Sequence, residues 1–359
     1  MPEQAMALPL NLHEYEAAAR AVLRPAVFDM VAAGSDDEVT LRENRTAFDR
    51  WRLLPRMWRG ITQPDLATSV LGQDVSFPVL LAPTALHRLL HSAGELASAR
   101  AARRAGTIFT LGTCASCTIE DVAREAGNWW FQLYLFPDRA IARDLVQRAE
   151  ARGASALVVT VDSPVLGRHE VNLRNNFVDP EGITFANVAP EALGSAVHDP
   201  AQSWQDLEWL AALTDLPLVL KGILDPDDAR RAFECGARAV VVSNHGGRQL
   251  DSAVASLDAL PAVAEVAAGR GEVLIDGGFR RGTDVLKALA LGARAVLLGR
   301  PFLWGLAVDG EEGVLRVLEL LRAELARDLM LSGRAGVAEV DRSLVVPVGP
   351  LSQALGARR

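Results

Sequence analysis

His245 and Arg248 stand three residues apart in the stretch Ser243-Asn244-His245-Gly246-Gly247-Arg248-Gln249-Leu250-Asp251. An imidazole can take a proton near neutral pH, and a guanidinium grips a carboxylate through paired N–H donors. The two glycines between them let the backbone turn sharply and approach a ligand closely. The preceding run, Ala239-Val240-Val241-Val242, reads as a buried strand, so base and fork project from one strand end. Such a pair suits a small acid that must lose a proton. A lone histidine would more often be structural, so the other strand ends have to decide.

The elements that position this pair follow from the rest of the chain. Its 359 residues are 50% hydrophobic and 23% charged, with a net charge of −8. That length allows one large barrel or two ordinary domains. The acidic balance argues against a nucleic-acid surface, and no apolar run reaches the roughly 18–20 residues of a membrane span. Met1-Pro2-Glu3-Gln4 has neither the basic start nor the apolar core of a signal peptide, which sets the expectation of a cytoplasmic protein. Cys114, Cys117 and Cys235 are too few for a disulfide scaffold, and without a second pair Cys114 and Cys117 carry no metal site; no metal is expected.

From Phe77 onward, β-branched runs alternate with stretches of helical period. The runs are Val79–Ala82, Ile108–Gly112, Trp130–Phe136, Leu157–Asp162, Leu218–Gly222, Val240–His245, Val273–Asp276 and Ala295–Gly299. Helices are predicted near 95–105, 118–126, 139–152, 203–213, 226–235, 257–268, 282–291 and 310–331. Eight such units predict a (β/α)₈ TIM barrel in an α/β chain. The expected division is a single domain over 1–359, with an N-terminal helical extension at 1–77, the barrel at 78–335 and a tail at 336–359. Within the extension, Asn11 and Glu14 form a capping pair for a helix Leu12–Leu23. Pro25 opens a second helix, closed by Gly34, and Asp36 caps a third that runs through Phe48. Trp51–Asp74 reads as irregular. About forty residues, Ser163–Ser203, separate the fourth strand from its helix, and a lid is the expectation.

In this fold the chemistry sits at the C-terminal strand ends. There the chain places Pro83-Thr84-Ala85, Gly112, Gln132 and Tyr134, Thr160 and Asp162, Lys221, then Ser243, His245 and Arg248. The seventh and eighth strands end in Asp276-Gly277-Gly278-Phe279-Arg280 and Gly299-Arg300. Glycines and arginines at those two ends suit a phosphate. A phosphate-bearing ligand, a small acid near His245 and a lysine for a developing anion together fit flavin mononucleotide.

These blocks resemble the FMN-dependent α-hydroxy-acid oxidases and dehydrogenases, the family of the glycolate, lactate and mandelate or 4-hydroxymandelate oxidases. The similarity covers nearly the whole chain, and the nine-residue signature after a strand is its most specific part. The resemblance implies FMN as cofactor and oxidation of an (S)-2-hydroxy acid to the 2-oxo acid. It makes His245 the base, with Asp162 supporting its protonated form. Arg248 would bind the substrate carboxylate, Tyr134 the substrate oxygen, and Lys221 would face the flavin ring. Flavin contacts would come from Pro83, Thr84, Ala85, Gly112, Gln132, Thr160, Lys221 and Ser243. The phosphate would fall to Asp276, Gly277, Gly278, Arg280, Gly299 and Arg300. Dioxygen is the expected acceptor, since no fused haem domain is present. A homotetramer is also expected.

Three positions depart from the family pattern. Met30 stands where glycolate-oxidase-like members carry a carboxylate-holding tyrosine, and Cys114 replaces a tryptophan. His169, preceded by Arg168, takes the place of an arginine. Met30, Arg168 and His169 therefore join Tyr134, His245 and Arg248 as candidate substrate contacts. An apolar Met30 leans towards a mandelate- or 4-hydroxymandelate-like acid. The alternatives are a lactate or glycolate type, a biosynthetic oxidase with a shifted substrate, or a flavin-binding barrel without catalysis. His13, His87, His91 and His198 show no partners in sequence and read as surface or loop residues.

Overall fold

A computed structural model describes residues 8–178, 182–188 and 198–349. Three helices come first: α1 Leu12–Val22, α2 Pro25–Ala32 and α3 Val39–Thr46. Asn11 caps α1 as expected, accepting from the backbone N–H groups of His13 and Glu14 at 3.0 and 3.1 Å. Asp36 does not cap α3. The cap is supplied by Asp251, whose carboxylate accepts from Thr40 N at 2.9 Å and Val39 N at 3.3 Å.

The stretch expected to be irregular contains three short strands: β1 Trp51–Leu53, β2 Thr68–Val70 and β3 Gln73–Val75. β2 and β3 form a hairpin across Leu71 and Gly72, both at positive φ (49° and 76°). β1 pairs antiparallel with β12, Val345–Pro347, near the other end of the described chain.

Eight parallel strands close the barrel: β4 Val79–Leu81, β5 Phe109–Gly112, β6 Trp129–Leu133, β7 Leu157–Thr160, β8 Leu218–Ile223, β9 Ala239–Val242, β10 Glu272–Asp276 and β11 Ala295–Leu298. Side chains alternate faces along a strand. Leu80, Trp130, Val158, Val219, Val241, Leu274 and Leu297 fill the barrel interior. Their neighbours, such as Val79, Leu81, Val240 and Val242, pack outward against the helices. Val70 and Val75 of the hairpin join the inner cluster and stopper one end of the barrel.

The same two-residue period decides what faces the open end. Counting from each inner residue, Leu80 leads to Ala82, and Trp130 to Gln132 and Tyr134. Val158 leads to Thr160 and Asp162, Val219 to Lys221, and Val241 to Ser243 and His245. Leu274 leads to Asp276, and Leu297 to Gly299. A hydrophobic interior thus turns polar at its C-terminal mouth without any change of period. The last long helix, Arg300–Ser332, starts at the mouth and bends at Asp309 and Gly310, close to where the sequence placed its start.

Candidate active site

Beyond β9 the chain runs through His245, Gly246 and Gly247 at φ 58°, 63° and 73°. Three successive left-handed residues are unusual, and a non-glycine among them stores strain. Asn244 holds the turn, its side chain accepting from Gly247 N at 3.1 Å and exchanging amide bonds with Asn44 of α3 at 2.7 and 2.8 Å. Gly247 has no alternative, because a Cβ there would lie 2.6 Å from Leu41 N.

This turn points His245 at Asp162, with Nδ1 2.8 Å from Asp162 Oδ1. Ser163 Oγ lies 3.3 Å from the same nitrogen, and Tyr134 Oη lies 3.4 Å from Nε2. A carboxylate at Nδ1 fixes the proton there and leaves Nε2 as the basic nitrogen. Burial would raise the Asp162 carboxyl, but His245 and Lys221 outweigh it and hold it at about 2. Gly222, at φ 110°, leaves room for this carboxylate, since its Cβ would fall 2.6 Å from Asp162. Burial, with Cys114 and Asp162 adding to it, keeps the Tyr134 phenol protonated well above its usual range.

Four cations surround the same mouth. Lys221 lies 3.4 Å from Asp276 Oδ2 and donates to Ser243 Oγ at 3.1 Å. Burial opposes its charge, yet Asp276 and Asp162 raise it above the usual lysine range. Arg248 donates through Nη1 to the carbonyls of Met30 (2.9 Å) and Ala33 (2.8 Å) at the end of α2. Among the described residues nothing bonds its Nε and Nη2. Arg300 donates to the carbonyls of Val31, Ala33 and Gly246, each at 2.9 Å. The C-terminus of α2, where helix carbonyls carry partial negative charge, therefore holds both arginines. Carbonyls do not neutralise a guanidinium. Burial and the nearby Arg248 and Arg280 pull Arg300 down to about 9, and among the described residues no carboxylate pairs with it. Burial also lowers Arg280, against the pull of Glu16 at 3.4 Å.

A cavity of about 410 Å³ joins these groups, and Pro83, Thr84, Ala85, Gly112, Gln132, Lys221, Asp276, Gly277, Gly278, Arg280, Gly299 and Arg300 all line it. The donor set fits a flavin with a phosphate. Arg300 needs an anion, Gly277 and Gly278 expose backbone at φ 99° and 81°, and a Cβ on Gly299 would meet nothing within 4 Å. The Asp276 carboxylate turns to Lys221 and, among the described residues, leaves Oδ1 buried without a partner; its side chain offers a phosphate no donor. Thr160 and Ser243 lie one layer back, bonding Gln132 and Lys221 at 3.0 and 3.1 Å.

Of the candidate substrate contacts, Met30, Tyr134, His169, His245 and Arg248 line the cavity, as does Cys114. Arg168 does not. Its side chain is 67% exposed and stands 3.9 Å from Glu170. His169 does not replace an arginine's charge. Burial and Arg248 lower its pKa, and Nε2 lies 2.9 Å from the Arg248 carbonyl, to which a neutral ring donates. Burial pushes the Cys114 thiol up to about 12, so it stays a thiol.

Two of the histidines read as peripheral are buried. His87 bridges Thr84 Oγ1 (2.6 Å) and Ser98 Oγ (3.0 Å) behind the cavity wall. His198 lines the cavity, its ring edge-on to Tyr134 with centroids 4.3 Å apart. Leu166, Asn172, Phe177 and Phe185 line it too, all from the connection after β7, which also carries a short helix, Glu170–Arg174. Their only signal in sequence was the length of that connection. Among the described residues no group of three or more His, Cys, Asp or Glu could hold a metal. No described helix is long and apolar enough to cross a membrane.

Comparison with known proteins agrees with this geometry. The model of the FMN-dependent dehydrogenase family matches residues 19–347. The chain is 49% identical to an L-lactate oxidase of Nostoc sp., over 95% of this chain and 99% of that one. It is 45% identical to 2-hydroxyacid oxidase 1 of Homo sapiens, over 93% and 95%. The crystal structure of mandelate oxidase with (S)-2-phenylpropionate superposes with a TM-score of 0.88 at 45% identity, covering 94% of this chain and 98% of the other.

Proposed function

The chain belongs to the FMN-dependent dehydrogenase family, and from that footing we propose that it oxidises (S)-2-hydroxy acids of mandelate or 4-hydroxymandelate type. The enzyme class itself, an FMN-dependent 2-hydroxy-acid oxidase, comes with the family. The observation that carries the proposal is the His245–Asp162 contact of 2.8 Å, which leaves Nε2 beside Tyr134 in the cavity that Arg248 also lines.

Arg248 binds the substrate carboxylate through Nε and Nη2, two parallel charge-assisted bonds that fix its orientation. Nε2 of His245 then takes a proton from the carbinol group, and Asp162 stabilises the imidazolium that forms. Tyr134, protonated throughout, donates to the substrate oxygen. A bound FMN would supply the acceptor for the two electrons and the second hydrogen of the substrate, with dioxygen as the final oxidant reduced to hydrogen peroxide. Lys221 provides a positive charge at the ring edge, and Arg280 and Arg300, with the Gly277, Gly278 and Gly299 backbone, hold the phosphate. Pro83, Thr84, Ala85, Gly112 and Gln132 would line the ring, backed by Thr160 and Ser243.

Met30, Cys114, Phe177 and Phe185 favour an aryl side chain over the methyl of lactate. The 49% identity to an L-lactate oxidase supports lactate as the second reading. Anaerobic bleaching of the bound flavin by a panel of acids tests both. Mandelate-type acids are expected to bleach fastest, and faster bleaching by lactate or glycolate would reverse the order. We also read the protein as a cytoplasmic homotetramer of single-domain subunits, with the barrel body at 78–335. Sedimentation, cell fractionation and limited proteolysis test those three points.

A further inference from the structure

We infer that Asn172 and His198 form a second polar subsite in the cavity, which binds a hydrogen-bonding group on the side chain of the substrate. The preferred substrates are then 2-hydroxy acids whose side chain carries a hydroxyl or a group like it. This rests on the reaction proposed above.

Asn172 lines the cavity, and its Oδ1 is buried with no partner among the described residues. A buried amide oxygen left unpaired is costly, and turning the amide edge of Asn172 towards the cavity that the residue lines would pair it with a ligand donor. The backbone around it is held, with Asn172 N donating to His169 O at 3.1 Å and Asn172 O accepting from Phe177 N at 3.0 Å. His198 is 8% exposed, and among the described residues its ring nitrogens make no hydrogen bond. Burial and His245 lower its pKa, so the neutral ring offers one donor and one acceptor. It is fixed from behind. Asp199 N donates to Leu135 O at 2.9 Å, and the Asp199 carboxylate meets Arg139 at 2.7 Å. Arg139 also pairs with Asp206 at 2.8 Å.

Phe177 and Phe185 supply apolar wall from the same connection. An aryl ring against those faces, with a polar substituent on Asn172 or His198, satisfies both kinds of surface. A plain phenyl or methyl group leaves the polar atoms unpaired, and sites of that kind discriminate against the analogue lacking the group.

The test uses matched acids on the FMN-loaded enzyme: (S)-mandelate against (S)-4-hydroxymandelate, and (S)-3-phenyllactate against (S)-3-(4-hydroxyphenyl)lactate. Anaerobic flavin reduction is expected to favour the hydroxylated member of at least one pair by about 10-fold or more in kcat/KM. Asn172→Leu or His198→Phe should cut that ratio roughly 5-fold, and His198→Gln should restore part of it. Titration with the 2-oxo acid products, read from the flavin absorbance, should show the same change of ratio in Kd. Bleaching without preference in either pair overturns the subsite alone. So does an unchanged ratio in both variants once flavin content and Tm show that they have folded. Failure of every acid to bleach the flavin overturns the proposed reaction and the subsite together.

Discussion

The strand ends and the long connection after β7 line one cavity but hold their side chains in opposite ways. At the strand ends most polar groups pair with each other, Asp162 with His245, Lys221 with Asp276 and Ser243, Gln132 with Thr160, although among the described residues Asp162 Oδ2 and Asp276 Oδ1 stay buried without a partner. On the connection, among the described residues, Asn172 Oδ1 has no partner and the His198 ring makes no hydrogen bond, while His169 spends its Nε2 on a backbone carbonyl. A group whose partners are built in is preorganised for one step, whatever acid arrives. A group left unpaired is satisfied only by the right acid. On the proposed reading, reaction and specificity fall to different parts of the chain.

The largest expected effect lies on the strand side. His245→Ala should slow anaerobic flavin reduction by roughly 10²–10⁴-fold for every acid alike. A loss confined to some acids would erase the contrast between the two regions. Arg248→Leu should lower kcat/KM by about 10²-fold or more, since two charge-assisted bonds to the carboxylate disappear. His169→Phe, its neighbour on the connection, should change the same quantity by less than about 10-fold, because its neutral ring offers no bond of that strength.

Arg300→Leu should weaken FMN binding by roughly 10- to 100-fold, measured by equilibrium dialysis of the apoenzyme, as one charge-assisted bond is lost. The Asp162 carboxyl sits at about 2 in the folded chain, below its ordinary value of 3.8. Its contribution, on the order of 2 kcal/mol, is therefore fully present above about pH 4 and lost as pH falls towards 2. Urea midpoints should fall over that window in the wild type, and Asp162→Asn should flatten that part of the curve. The smallest effect belongs to the cavity wall. Met30→Tyr should shift the mandelate-to-lactate ratio of kcat/KM by about 10-fold towards lactate. No shift would remove Met30 from the specificity side of the comparison.

Much of the site was legible because two local rules coincide. The two-residue period of a strand and the placement of chemistry at barrel mouths together locate Gln132, Asp162, Lys221 and His245 without any contact map. What was misread depends on distant partners. Asp36 looked like the cap of α3, yet Asp251 fills that role across 211 residues. Arg168 looked like a stand-in for a lost arginine, but backbone geometry turns it to solvent and turns His169 inward. The strands in Trp51–Asp74 went unseen because β1 pairs with β12 almost three hundred positions away and the hairpin is only three residues a side.

By itself the sequence determined the barrel, through strand period, and pointed to the cofactor and the reaction class through strand-end blocks that resemble a known family. Tertiary structure alone decided how the cations are held and what faces the substrate. The C-terminus of α2 reaches Arg248 and Arg300 over more than two hundred residues, and the connection folds His169, Asn172 and His198 into the wall. Those outcomes follow from which carbonyls remain free at a helix end and which polar atoms lose water when elements pack. Neither is a local property of the chain.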